Sequence, residues 1–148
     1  MDQLGEKDSL LDVGCGLGHL ADDCSMRGWK GSYTGLDLSK KMVETTKKRL
    51  NMINIFEKDI LEDSYDKKHN IVASVATLQQ RSQFQDPVVY LEKMINKMFE
   101  ISTKAVVFDV FSNRFTDYEN PDNLYVDLHL FIQTLCNITN NFIIFNHY

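Results

Sequence analysis

The run Leu10-Leu11-Asp12-Val13-Gly14-Cys15-Gly16-Leu17-Gly18-His19-Leu20 sets three glycines two apart, with an acid two residues before the first. An apolar stretch leads in and a helical pattern follows, as when a buried strand breaks into a tight turn and then a helix. Glycine there lets the backbone approach a ligand closely, in conformations a Cβ would forbid. Two further acids end apolar runs: Asp37 in Gly35-Leu36-Asp37-Leu38-Ser39, and Asp59 in Glu57-Lys58-Asp59-Ile60. A lone glycine turn opens many α/β folds, and a lone Asp at a strand end is often a helix cap. The weight lies in the ordered set. Cys15, inside the turn, reads as a small residue filling a tight space rather than as a nucleophile.

The elements that must carry these residues alternate. Strands are expected at Leu10–Val13, Ser32–Leu38, Asn54–Phe56, Asn70–Ala76, Ala105–Phe111 and Phe142–Phe145. Between them lie helical patterns from Gly18 to Met26, from Lys40 to Leu50 with Ser39 as N-cap, after Asp86-Pro87, and from Tyr125 to Cys136. A polar loop is expected over Ser112–Asn123. Such alternation implies right-handed βαβ units, hence a Rossmann-like, doubly wound α/β fold: a mostly parallel sheet with helices on both faces. Ligands in such sheets lie beyond the carboxyl ends of the strands, where the glycine turn, Asp37, Asp59 and the segment after Ala76 all fall.

Composition narrows the field. The chain has 148 residues, 43% hydrophobic and 25% charged, and fits a single domain spanning residues 1–148. A net charge of −5 and the lack of an evident basic face argue against a nucleic-acid partner. The lysines at 40, 41, 47 and 48 with Arg49 read as the solvated face of an outer helix. No apolar run approaches the roughly 20 residues of a membrane span, and the acidic, polar N-terminus does not read as a secretory signal. Three cysteines without C-x-x-C spacing favour neither a disulfide framework nor a zinc site, and no metal is expected. A reducing cytoplasm fits best.

The acid and the Gly-x-Gly-x-Gly spacing resemble motif I of the class I S-adenosylmethionine-dependent methyltransferases. The resemblance runs from about Leu10 to the end and implies S-adenosyl-L-methionine as cofactor. It assigns Asp12 to holding the turn and the amino end of the cofactor. The backbone around Gly14, Cys15, Gly16 and Gly18 would line the methionine part. Asp37 corresponds to the family acid that takes both ribose hydroxyls, with Leu38 beside it; a carboxylate can accept two hydrogen bonds from a vicinal diol. Asp59 corresponds to the acid that accepts from the adenine amino group, while the Ile60 amide meets the ring and Ala76 closes the set. A nicotinamide dinucleotide domain is the rival, and Asp37 does not discriminate. The glycines do: that fingerprint is Gly-x-Gly-x-x-Gly, and here His19 stands where its third glycine belongs.

The resemblance predicts methyl transfer to an acceptor, by elimination a small molecule. Thr77-Leu78-Gln79-Gln80 lacks the Asp/Asn-Pro-Pro-Tyr/Phe of base-amino methylation, and no cysteine follows a proline. A catalytic residue is not legible. Segments expected near the methyl group contribute Thr77, Gln79, Arg81, Tyr118, Tyr125 and His129, of which His129 could serve as a base at neutral pH. Departures from the family are His69-Asn70 ahead of the fourth strand, only nine residues before motif I, and a terminal antiparallel strand that is missing. The sheet should then leave backbone groups unpaired or be completed by another chain in a homo-oligomer. The departures also motivate an alternative: a catalytically inactive or truncated methyltransferase-like domain that binds cofactor or partners.

Overall fold

The computed structural model describes residues 5–52, 54–79, 86–113 and 120–145. Five parallel strands form one sheet: β1 (Ser9–Val13), β2 (Ser32–Asp37), β3 (Ile55–Glu57), β4 (His69–Ser74) and β5 (Ser102–Phe108). Their spatial order is 3-2-1-4-5. The chain leaves central β1 towards β2 and β3, then crosses back to β4 and β5. The switch point therefore lies between the carboxyl ends of β1 and β4, where such sheets take ligands.

Side-chain alternation divides the core in two. Leu11, Val13, Leu36 and Val72 pack with Ile95 and Met98 of α3 (Pro87–Ile101) and with Phe131 and Leu135 of α4 (Leu128–Ile138). On the other face, Leu10, Tyr33, Ile55 and Ile71 pack with Ala21 and Cys24 of α1 (His19–Met26) and Val43 of α2 (Lys40–Leu50). The helices begin where local chemistry lets them. Ser39 Oγ accepts from the Met42 amide at 3.3 Å. Asp86 accepts from the amides of Val88 and Val89, with proline at the first helical position.

The second half departs from the sequence reading in three places. The strand expected over Ala105–Phe111 lies three residues earlier, because α3 ends at Ile101 and β4 pairs from His69↔Ser102 onward. Phe111–Ser112 leaves the sheet as β6 and pairs in parallel with β7, Tyr125–Val126. The Phe111 and Tyr125 rings stack at 5.5 Å. The helix expected from Tyr125 accordingly starts at Leu128, capped by Asp127, whose carboxylate accepts from His129 and Leu130. Finally, Phe142–Phe145 is not a strand. These residues are exposed and without regular structure.

Among the described residues β5 pairs with β4 alone, so no described strand covers its outer edge. In a monodisperse monomer, amide exchange should be slow throughout β1 and fast at alternate residues of β5. Uniform protection of β5 in such a sample would contradict the open edge.

Candidate functional site

The glycine turn is built by continuing the β1–β2 ladder one step past the strand. Leu36 O accepts from both Gly14 N (2.8 Å) and Cys15 N (2.9 Å), while Gly18 N donates to Cys15 O at 2.7 Å. Gly16 N donates to Asp37 Oδ2 at 2.8 Å, and Ser39 N donates to Asp37 Oδ1 at 2.8 Å. The turn amides that the sequence reading aimed at a ligand thus have protein acceptors. What the turn offers is bare Cα surface and carbonyl oxygens. Helix α2 holds it from outside: Thr46 Oγ1 donates to Gly16 O at 2.6 Å, and Arg49 Nε to Leu17 O at 2.9 Å.

The two outer glycines are fixed by packing. A Cβ on Gly14 would lie 2.2 Å from Thr77 Oγ1, and one on Gly18 would lie 2.6 Å from Leu50 Cδ1. Gly16 differs. Its φ is +49°, and a Cβ there would meet open space. The middle of the turn is therefore uncovered at the carboxyl end of β1.

The strand ends that carry the expected residues share this carboxyl edge of the sheet. Each Asp37 oxygen has one amide partner, which leaves further lone pairs for a ligand. Leu38 next to it is 64% exposed, an apolar side chain at the lip of the site. Lys58 N donates to Asp37 O at 3.1 Å, so Asp59 follows directly on the neighbouring strand end. Asp59 Oδ1 accepts from Leu61 N, turning the chain, and Ile60 is buried. Ala76 sits beyond β4 with φ +58°. Of the expected acceptor-side residues, Thr77, Gln79, Tyr125 and His129 are placed, His129 exposed on the first turn of α4. Arg81 and Tyr118 lie outside the described residues.

Asp12 and Cys15 both lie buried beneath the turn. Asp12 does not hold the turn through its side chain. It points under α1, 3% exposed, where Oδ2 accepts from Tyr33 Oη at 2.6 Å. Burial raises its carboxyl to about 6, opposed by the Tyr33 hydrogen bond and aided by nearby Asp37. Cys15 packs against Gly35, and burial with Asp12 and Asp37 nearby pushes its thiol up to about 12. A thiol so disfavoured as thiolate is no nucleophile at neutral pH. A separate groove of about 570 Å³, lined by Cys24, Trp29, Tyr33 and Asn51, opens at the amino end of β2, away from this rim. Among the described residues no His, Cys, Asp and Glu cluster could hold a metal ion.

The residues that the sequence did not reveal are Thr46, Gln79's partner Asp109, and Tyr33. Only the placement of Tyr33 opposite Leu10 in the β1–β2 register could have hinted at its contact with Asp12.

Residues 10–98, more than half of the chain, match the family model described as Methyltransferase domain. The chain belongs to the methyltransferase domain family. Malonyl-[acyl-carrier protein] O-methyltransferase of Priestia megaterium (strain DSM 319 / IMG 1521) is 26% identical over 107 residues, 71% of this chain and 37% of its own. The chain thus spans well under half the length of that curated relative. Among solved structures, the sugar N-methyltransferase KedS8 of Streptoalloteichus sp ATCC 53650 superposes with a TM-score of 0.61 at 22% identity. It covers 77% of this chain and 46% of its own. SAM-bound CalS10, an amino pentose methyltransferase of Micromonospora echinaspora, gives 0.60 at 22% identity, covering 75% and 47%. These likenesses establish the Rossmann-like methyltransferase fold.

The burial of Asp12 in this methyltransferase domain sets a pH dependence. The folded carboxyl keeps its proton up to about pH 6, whereas the unfolded one releases it near 3.8. Folding is therefore favoured by Asp12 at low pH, and that contribution is lost as pH rises through 6. Asp12→Asn should gain stability over wild type between pH 4 and 7, on the order of 3 kcal/mol at the upper end. Urea melts at each pH measure it; a difference that is constant with pH would contradict the assignment. His69, held unprotonated by burial, acts in both proteins and cancels from the difference.

Proposed function

We propose that this domain binds S-adenosylmethionine at the rim described above and transfers its methyl group to a small-molecule acceptor. The single observation that carries the reading is the Gly16–Asp37 arrangement. A turn residue whose missing Cβ leaves open space stands against a carboxylate with lone pairs to spare. That uncovered turn suits an adenosyl-amino-acid ligand: Asp37 would take the ribose diol, and the Gly14 carbonyl would accept from the amino group. Leu38 would flank the adenine, with the Ile60 amide meeting the ring and Asp59 accepting from its amino group. Cys15, Gly18 and Ala76 shape the walls, and Asp12 supports the turn from beneath rather than touching the ligand.

When bound, the cofactor supplies a methyl group on a sulfonium, already activated for in-line displacement. The chain's own task is then approach geometry and, for an acceptor that carries a proton on the attacking atom, a path for that proton. The acceptor side is formed by the segment after β4 and by the stacked Phe111–Tyr125 pair. Small-molecule acceptance is supported by the net charge of −5 and by relatives whose names specify sugar and amino pentose substrates. The free thiols fit a reducing, cytoplasmic setting.

Calorimetry with S-adenosylhomocysteine tests the reading. Wild type should bind; Asp37→Ala should lose at least about tenfold in affinity, as expected for a hydrogen-bonded charged acceptor. Gly16→Ala should fold at a left-handed cost of about 1–2 kcal/mol yet bind no ligand detectably, because its methyl blocks close approach to the turn. A folded wild-type chain that binds nothing would remove the proposal. Labelled methyl transfer to any acceptor in a broad screen would separate an active enzyme from a cofactor-binding module.

A further inference from the structure

The segment after β4 is fixed by a side chain from a different strand end. Asp109, directly after β5, accepts from Ala76 N through Oδ1 at 2.8 Å and from Gln79 Nε2 through Oδ2 at 2.7 Å. Between those two anchors, Thr77 Oγ1 donates to Gly14 O at 3.1 Å, and Leu78 is buried in the core. Gln79 O accepts from Leu124 N at 2.7 Å, which ties the segment to the chain leading into β7. Ala76 adopts φ +58°, a conformation that a β-carbon resists and that must be imposed by its surroundings. One carboxylate thus spans both ends of the four-residue stretch that covers the first glycine.

We propose that Asp109 is a positioning residue: it sets the height of Ala76–Gln79 over the Gly14 turn, and through it the fit of ligand against that turn. The inference rests on the cofactor reading above. It adds a residue outside the glycine turn and the two ribose and adenine acids, acting on ligand only through its partners. Both Asp109 oxygens are acceptors, so its partners must both be donors; a second carboxylate at position 79 would be repelled.

The test is an exchange of roles. Gln79→Glu should weaken S-adenosylhomocysteine binding by about tenfold or more and speed amide exchange at Ala76. Asp109→Asn should stay within about threefold of wild type, since Asn can accept from Ala76 and donate to a flipped Gln79 amide. The double variant Asp109→Asn with Gln79→Glu restores a donor–acceptor pair and should return to within about threefold of wild type. Loss of general stability would not be repaired by a second substitution that leaves the rest of the fold unchanged, so rescue separates positioning from scaffolding. Gln79→Glu binding as tightly as wild type, or a double variant no better than it, would overturn the inference. Wild type failing to bind would overturn the cofactor reading itself, and this inference with it.

Discussion

The peptide unit of Gly16 is held from both sides: its N–H by the Asp37 carboxylate and its carbonyl by the Thr46 hydroxyl. Asp37 also receives the Ser39 amide, at the start of α2. This one unit therefore joins the end of β1, the end of β2 and two turns of α2. Each such hydrogen bond contributes only about 1 kcal/mol net, so their value is geometric. They fix a strained turn with its open side outward, which is the condition for any ligand to lie against it.

That geometry depends in turn on the parallel sheet. Because β1, β2, β3 and β4 all run the same way, their carboxyl ends share a rim, and short loops are enough to gather the glycine turn, Asp37, Asp59 and Ala76 there. The opposite end of the sheet does different work. There His69 is buried, with Tyr65 Oη at 2.8 Å from Nε2, and Lys104 pairs with Asp8. Buried Asp12 lies between the two ends, beneath the turn, where a neutral carboxyl hydrogen-bonded to Tyr33 costs less than an ionised one.

Much of this was legible in the residues. Gly14, Gly16 and Gly18 announce a turn because their spacing has few other uses, and α2 begins and ends where Ser39 and Leu50 imply. The strand ends carrying Asp37 and Asp59 follow from apolar runs of the right length. Partners distant in sequence were not legible. Nothing local links Asp109 to Gln79 or Thr46 to Gly16, since each pair is 30 residues apart and meets only once the chain has folded. The C-terminal misreadings share one cause. Apolar content made Phe142–Phe145 look like a strand, but whether an extended run pairs is decided by what lies beside it. The shift of β5 arose likewise, from pairing register rather than from propensity.

Amide chemical shifts during titration with S-adenosylhomocysteine test the central claim most directly. The account predicts that the largest changes fall on Gly14, Gly16, Gly18, Leu38, Asp59 and Ile60 together, as one contiguous patch along the carboxyl rim. Changes centred instead on Cys24, Trp29 and Asn51, at the other end of the sheet, would contradict it.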